Sequence, residues 1–304
     1  MTRYLPPDRN FLAIPDEISN PETAGVIILP VPFEQTASYG KGAGRGPQSI
    51  INASHQVEFF DTVLGIEPVQ AVRGIATLEP YELEGLDAAE LVERLRNTVA
   101  GWLDRGKFVI TLGGEHTSVI GAIKAHCEAF DDLTVVQLDA HSDLRPSYEG
   151  NPWSHACTTA RVLGFHDALV QVGVRSQDRE ERAFIEEKGL PVFYAHEIHC
   201  CQEDREDWIG LIIRATREHV YLTFDCDVLD PSVLPATGTP EPGGLTWSQI
   251  DRFLARICRE RKVVGLDVSE LSPISGVEYP QYNVAKLIYR FLGYWGTSSQ
   301  NPKA

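Results

Sequence analysis

The sequence predicts an α/β protein with a parallel sheet covered by helices on both faces, and three observations carry this prediction. Short apolar runs rich in β-branched residues recur along the chain, which is typical of strands buried on both faces. Amphipathic stretches separate these runs, so that strand and helix alternate. No composition break, repeat or low-complexity linker divides the 304 residues. We therefore expect a single domain over 1–304, with an irregular N-terminal segment over 1–24.

Eight apolar runs are the expected strands. Each is short and nearly continuous in apolar residues, as strands of a doubly covered parallel sheet are. They lie at 25–32, 72–78, 107–114, 133–140, 168–175, 190–197, 219–227 and 262–271.

The expected helices carry apolar residues every three or four positions. The stretch 88–106 has this spacing and ends at a glycine, the residue that most often terminates a helix. The other helices are expected at 47–60, 118–130, 178–189, 203–218, 245–258 and 283–295. Long irregular segments remain at 34–46, 144–153 and 228–244, and loops of this length in a compact domain often carry function.

The charge and the cysteines exclude several classes of protein. A formal charge of −16 argues against non-specific nucleic-acid binding, which depends on Lys and Arg, and it suits a small cationic substrate or metal ions. No apolar run reaches 18 residues and the first residues do not resemble a signal peptide, so we expect a cytoplasmic protein without a membrane partner. The six cysteines form no C-x-x-C pair and are expected as free thiols; the adjacent Cys200 and Cys201 have no assigned role.

Acidic and imidazole side chains follow three of the expected strands. Because the carboxyl ends of parallel strands share one edge of a sheet, we expect these side chains to lie together. The i, i+2 spacing of Asp139 and His141 sends both to one side, and the same holds for Asp225 and Asp227. The candidate ligands are His116, Asp139, His141, Asp143, Asp225 and Asp227.

This set of side chains predicts a site for two metal ions. Four carboxylates packed together without a cation would raise one another's pKa by units. Oxygen and imidazole ligands without thiolate suit Mn²⁺ first, with Ni²⁺, Co²⁺ or Fe²⁺ as alternatives. A single Asp or His at a strand end more often caps a helix, and Asp230, which precedes a proline, is interpreted as a turn residue. Cys226 is expected to pack on the opposite face, and the glycine-rich 39–47 to be structural or to rim the site.

Four motifs together resemble the ureohydrolases, the family of arginase and agmatinase. They are GGEHT, DAHSDLR, FDCDVLDPSVLPATGTPEPGGLTW and DVSELSP, and the resemblance runs from about residue 25 to 292. It implies a three-layer αβα arginase-like fold with an eight-stranded parallel sheet, two Mn²⁺ per chain, and a homo-oligomer, either a trimer or a hexamer. It also implies that one ion is held by His116, Asp139, Asp143 and Asp225, and the other by Asp139, His141, Asp225 and Asp227.

The resemblance further implies a reaction. A hydroxide that bridges the two ions attacks the guanidinium carbon, since metals lower the pKa of bound water to about 7. Asp143 hydrogen-bonds this water and moves its proton, and His155 of WSHAC delivers a proton to the departing amine. Glu270 pairs with the guanidinium, whose planar N–H donors match a carboxylate.

The loops indicate the substrate. The compact LRPSYEGNPWSHA and the Glu241 of TGTPEPGGL resemble agmatinases, so we expect hydrolysis of agmatine to putrescine and urea, with His155 and Glu241 beside the substrate. Ala156 and Cys157 depart from the Gly-Thr of several agmatinases, which leaves arginine, 4-guanidinobutyrate and guanidine as alternatives. A catalytically silent subunit would have degenerate ligands, and a deacetylase-like enzyme with one zinc would not keep all six.

Overall fold

A computed structural model describes residues 3–200 and 207–299; Cys201 and the first residues of the helix expected at 203–218 lie outside them. An eight-stranded, all-parallel sheet runs through the molecule in the order β2-β1-β3-β8-β7-β4-β5-β6. The predicted α/β class and the eight strands are confirmed. The strands are β1 (Val26–Val31), β2 (Ile75–Thr77), β3 (Phe108–Gly113), β4 (Leu133–Leu138), β5 (Leu169–Val172), β6 (Val192–Phe193), β7 (His219–Asp225) and β8 (Lys262–Ser269).

Helices cover both faces of this sheet. They are α1 (Gly46–Ser54), α2 (Pro68–Ala71), α3 (Ala88–Leu103), α4 (Ile120–Ala129), α5 (Thr158–Val162), α6 (Arg179–Lys188), α7 (Ala195–Cys200), α8 (Trp208–Arg214), α9 (Trp247–Glu260) and α10 (Tyr279–Thr297). Three of them, α2, α5 and α7, have four to six residues and were not expected, because one turn of helix shows no periodicity. None of the described helices is both long and apolar enough to cross a membrane.

The strand side chains divide the core into two layers. In β1, Val26 and Ile28 belong to the cluster that includes α1, α9 and α10, whereas Ile27 and Leu29 belong to the cluster under α3. All six residues of β1 are buried. Successive side chains of a strand point to opposite faces, so continuous burial requires cover on both. This arrangement explains why the strands read as unbroken apolar runs.

The order of the strands brings distant parts of the sequence together. β3 pairs with β8, β8 with β7 and β7 with β4, so these four strands are neighbours at the centre of the sheet. Leu138 pairs with Phe224, and Asp225 pairs with Ser269. The residues that follow each strand therefore meet at one edge, which is where ligands bind in open parallel sheets.

Candidate active site

The first cluster of the site surrounds His116, which lies on a 3-10 turn directly after β3. Its Nδ1 is 3.1 Å from Oδ2 of Asp139, 3.1 Å from Oδ2 of Asp143 and 3.5 Å from Oδ2 of Asp225. All four side chains are buried. Donor atoms of His116, Asp139 and Asp225 lie within 4.8 Å of one another, which is the spacing of ligands around one metal ion.

A second cluster lies beside the first and shares Asp139 with it. Nδ1 of His141 is 2.9 Å from Oδ2 of Asp227 and 3.6 Å from Oδ1 of Asp139. Donor atoms of Asp139, His141 and Asp227 also lie within 4.8 Å of one another. Asp225 groups with the first cluster at this spacing, and its Oδ1 accepts the backbone N–H of Asp227, a member of the second, at 2.9 Å.

The charges of the site fit a bound cation. Burial first, and then the negative charges of Asp227 and Asp139, raise the pKa of Asp225 well above its ordinary value. Burial and the charge of Asp139 likewise raise the pKa of Asp143 to about 7. Carboxylates in such surroundings resist ionisation unless a cation lies among them. Hard oxygen and imidazole donors without thiolate suit a divalent ion such as Mn²⁺.

Two carboxylates of the site sit on backbone that L-residues rarely adopt. Asp143 has φ of 52° and Glu270 has φ of 62°. The backbone N–H of Glu270 donates to the Gly114 carbonyl at 2.8 Å, and its Oε1 accepts the backbone N–H of His116 at 2.7 Å. Such strain, about 1–3 kcal/mol each, is found mainly at functional sites and is held by surrounding contacts.

A hydrogen-bond chain behind His116 defines which of its nitrogens faces the carboxylates. The Thr223 hydroxyl donates to Oδ1 of the fully buried Asp267 at 2.9 Å and lies 2.9 Å from Nε2 of His116. Its single hydrogen is used, so it accepts the Nε2–H of His116. Nδ1 is then the ligand atom, in the arrangement by which outer contacts orient metal-binding histidines.

His155 lines the same pocket as His116 and lies at the start of a 3-10 turn, His155–Cys157. Its Nδ1 is 3.2 Å from the Thr36 hydroxyl and its Nε2 is 3.4 Å from the Ser38 hydroxyl. Burial lowers the pKa of His155, so its ring is neutral at pH 7. The ring therefore has one nitrogen that can accept a proton.

A pocket of about 230 Å³ opens onto both clusters. Its described lining comprises Ser38, His116, His141, Asp143, Arg145, Tyr148, His155, Ala156, Ser176, Gln177, Glu181, Asp225, Asp227, Thr239 and Glu270. Glu241 is not in this set; its backbone carbonyl accepts a hydrogen bond from Arg175 instead.

Several lining residues were not predicted to belong to the site. Arg145, Tyr148 and Gln177 come from loops after β4 and β5, and nothing in their spacing marks them. Arg175 supports the site from below, since its guanidinium donates to the Asp227 and Glu241 carbonyls at 2.6 and 2.7 Å. Their roles depend on the folded paths of loops, which sequence periodicity does not describe.

Three features that the sequence analysis interpreted as structural lie in structural surroundings, either in loop hydrogen bonds or in the core. Asp230 accepts hydrogen bonds from Ser232, Gly243 and Gly244, as a turn residue does. Cys226 is fully buried in the core. In the glycine-rich loop, the backbone N–H groups of Gly42 and Gly44 donate to the Glu34 carboxylate.

Fold and site together define an α/β enzyme with a cluster of metal-ligand residues at the carboxyl edge of its sheet. The arginase family profile matches residues 24–293. The chain is 36% identical to the N(1)-aminopropylagmatine ureohydrolase of Synechocystis sp., over 94% of each chain. It is 39% identical to the protein of the same name from Thermus thermophilus, over 90% of this chain and 92% of that one. The crystal structure of agmatine ureohydrolase of Thermoplasma volcanium superposes with a TM-score of 0.82 at 29% identity, over 94% of each chain.

This chain belongs to the arginase family. It is a ureohydrolase, a hydrolase that acts on carbon–nitrogen bonds, as the motifs predicted.

Proposed function

We propose that this ureohydrolase removes urea from agmatine or a close derivative, a guanidino compound with an ammonium tail. The observation that carries the proposal is a surplus of negative charge around Arg145, which lines the pocket together with Glu181. There the guanidinium of Arg145 lies 2.5 Å from Asp178 and 4.0 Å from Glu181. One cation between two carboxylates leaves a net charge of −1, which favours an ammonium over a carboxylate tail.

The inner end of the pocket has a partner for the guanidinium. Glu270 is half-buried and lines the pocket, and its Oε1 accepts the backbone N–H of His116. Its Oε2 forms no hydrogen bond within the described chain and remains for the substrate. A carboxylate and a guanidinium form a strong charge-assisted pair, and burial strengthens it.

We propose two Mn²⁺ per chain, one among His116, Asp139, Asp143 and Asp225, the other among Asp139, His141, Asp225 and Asp227. When bound, such ions supply water that loses its proton near neutral pH. Asp143 then takes up that proton, since it faces both His116 and the pocket. His155 takes this proton over from Asp143 and delivers it to the nitrogen that leaves with the tail, because an amide anion would not depart.

A second candidate substrate is N1-aminopropylagmatine, which carries one more amine than agmatine. It is favoured by the relatives at 36 and 39% identity, whose names state this substrate. Its longer tail would extend past Arg145 and the Tyr148 ring, which lie 5.4 Å apart at the rim. The unbalanced negative charge of Asp178 and Glu181 around Arg145 suits an added ammonium.

A substrate panel tests the proposal. Urea release would be measured after Mn²⁺ loading with agmatine, N1-aminopropylagmatine, arginine, 4-guanidinobutyrate and guanidine. We expect kcat/KM for the two cationic tails to exceed that for the carboxylate tails by about tenfold or more, a difference of about 1.4 kcal/mol. Glu270→Gln is expected to lose activity with all substrates. Preference for a carboxylate tail would overturn the substrate, and no urea from any guanidine would point to a silent subunit.

We also propose that the protein is a cytoplasmic homo-oligomer, a trimer or a hexamer. Three apolar side chains in one short segment support this: Phe59, Phe60 and Val63 are 42, 54 and 61% exposed. Large exposed apolar groups in one patch are typical of protein interfaces. Light scattering coupled to gel filtration measures the mass, and a monomer would contradict the proposal.

A further inference from the structure

We propose that Glu115 and Thr36 are positioning residues that hold His155 with a hydrogen on Nδ1 and a free lone pair on Nε2. This inference rests on the proposed role of His155 in proton transfer, and it names the groups that select the reacting atom. Thr36 lies in the loop after β1, 119 residues before His155 in the sequence. Glu115 lies between β3 and His116.

The Glu115 carboxylate is hydrogen-bonded to the loop that carries Thr36. It is fully buried, and its Oε2 accepts the backbone N–H groups of Gln35 at 2.9 Å and Thr36 at 2.6 Å. Its own backbone N–H donates to the Phe33 carbonyl at 2.9 Å. This close approach of the backbone to Phe33 requires glycine at position 114, because a Cβ there would lie 2.1 Å from the Phe33 carbonyl oxygen. Three bonds to consecutive parts of one loop leave it little freedom.

The remaining oxygen of Glu115 sets the direction of the next hydrogen bond. The Thr36 hydroxyl donates its single hydrogen to Oε1 of Glu115 at 3.0 Å. Oγ1 of Thr36 is therefore an acceptor toward every other partner. It accepts the backbone N–H of His155 at 2.9 Å, and it lies 3.2 Å from Nδ1 of the same residue.

It follows that Nδ1 of His155 carries the hydrogen. A neutral imidazole has one N–H, so Nε2 is left with a lone pair. Nε2 lies 3.4 Å from the Ser38 hydroxyl, and both His155 and Ser38 line the pocket. Nε2 is thus the atom that takes up a proton and passes it on. The two bonds to Thr36, one to the backbone and one to the ring, fix the ring's position as well as its tautomer.

Paired substitutions test this arrangement in the full chain loaded with Mn²⁺. Thr36→Val keeps the shape of the side chain and removes the hydroxyl. We expect kcat for agmatine to fall about 10- to 100-fold with little change in KM or metal content, which is part of the roughly 10²- to 10⁴-fold that a proton-transfer group contributes. Thr36→Ser keeps a hydroxyl and is expected to restore kcat to within a few-fold. Thr158→Val is a matched control, because the Thr158 hydroxyl bonds the His155 carbonyl and not the ring.

A double-mutant cycle separates positioning from a general structural role. Combined with His155→Ala, Thr36→Val is expected to cause no further loss, because there is no ring left to hold. Independent, multiplying losses would overturn the proposal, and so would a Thr36→Val enzyme with normal kcat or a His155→Ala enzyme with full activity.

A spectroscopic measurement keeps this inference distinct from the proposed substrate. Nitrogen-15 NMR of the metal-free chain with labelled histidines reports which ring nitrogen of His155 is protonated, with the signal assigned by its loss in His155→Ala. We expect hydrogen on Nδ1 in the unmodified chain and a mixture of tautomers in Thr36→Val. Hydrogen on Nε2 in the unmodified chain would overturn the positioning role whatever the substrate. Absence of urea release with this NMR result intact would instead count against the proposed function alone.

Discussion

The two oxygens of the Asp139 carboxylate face different histidines. Oδ2 lies 3.1 Å from Nδ1 of His116, and Oδ1 lies 3.6 Å from Nδ1 of His141. The carboxylate is held in this orientation, because Gln137 donates to Oδ2 at 2.7 Å and the His141 backbone donates to Oδ1 at 2.6 Å. A side chain so placed can serve two ions at once.

Removing this shared ligand is expected to affect both ions, whereas removing Asp227 is expected to affect one. We expect Asp139→Asn to lose most of both metals and Asp227→Asn to lose mainly the metal beside His141, because Asp227 belongs to that cluster alone. Elemental analysis after gel filtration measures metal per chain. Asp230→Asn is the control, since the Asp230 carboxylate accepts hydrogen bonds from Ser232, Gly243 and Gly244 and belongs to neither metal-ligand cluster. Full occupancy of one site in Asp139→Asn would contradict the shared position.

Thr223 is expected to determine metal affinity without touching the metal. Thr223→Val leaves the Nε2–H of His116 without its acceptor, and loss of such a contact lowers metal affinity about 10- to 100-fold. Thr223→Ser keeps the hydroxyl between His116 and Asp267 and should bind metal normally. Competition with a chelator measures the affinity of both variants. Equal affinities would show that the hydroxyl has no part in orienting the ring.

Metal uptake is expected to release protons and to strengthen as the pH rises. Burial opposes charge on His141, but the carboxylates of Asp227 and Asp139 outweigh it and raise the pKa of His141 to about 12. The ring is therefore protonated in the metal-free protein at neutral pH, and a metal ion must displace that proton. Calorimetry in buffers of different ionisation enthalpy counts the protons. His141→Ala should release fewer protons on metal uptake than the unmodified chain. An unchanged number of released protons would mean that they come from groups other than His141.

Asp61 is expected to stabilise the fold far from the site. Its buried carboxylate lies 3.0 Å from both Lys286 and Arg290 of α10. Asp61→Asn leaves Lys286 without its carboxylate partner, while Arg290 keeps Asp251 at 3.4 Å. The substitution should lower the free energy of unfolding by about 3 kcal/mol, the lower end for a broken buried ion pair, measured with urea on the metal-free chain. Burial would raise the pKa of Asp61, but the bonds from Lys286 and Arg290 lower it below its ordinary value.

The sign of the pH effect follows from that lowered pKa. The stabilisation by Asp61 is fully present above the unfolded pKa of about 3.9 and is lost as the pH falls through the lower folded value. The free energy of unfolding of the unmodified chain should therefore approach that of Asp61→Asn only below about pH 4. A difference that narrowed between about pH 8 and 6 would point to another group.

The sequence predicted the sheet and the metal-ligand residues because both follow from strand ends. A buried parallel strand appears in the sequence as an apolar run. Asp139 directly follows one such run, and Asp225 ends another. The short helix at Ala195–Cys200 was missed: the run at 190–197 was interpreted as one strand, but β6 ends at Phe193. Thr36, Arg145 and Arg175 were missed because their roles come from loops that meet only after folding, from 33 residues apart for Arg145 and Asp178 to 119 for Thr36 and His155.

The left-handed backbone at Asp143 costs stability at a position whose side chain is needed for activity. A glycine there would adopt φ of 52° without strain and would also remove one of several crowded negative charges. Asp143→Gly should therefore raise the melting temperature of the metal-free chain while abolishing turnover, and a lower melting temperature would contradict this. Selection for thermostability alone would then favour inactive variants. A search for more stable variants of this enzyme therefore has to screen for urea release at the same time.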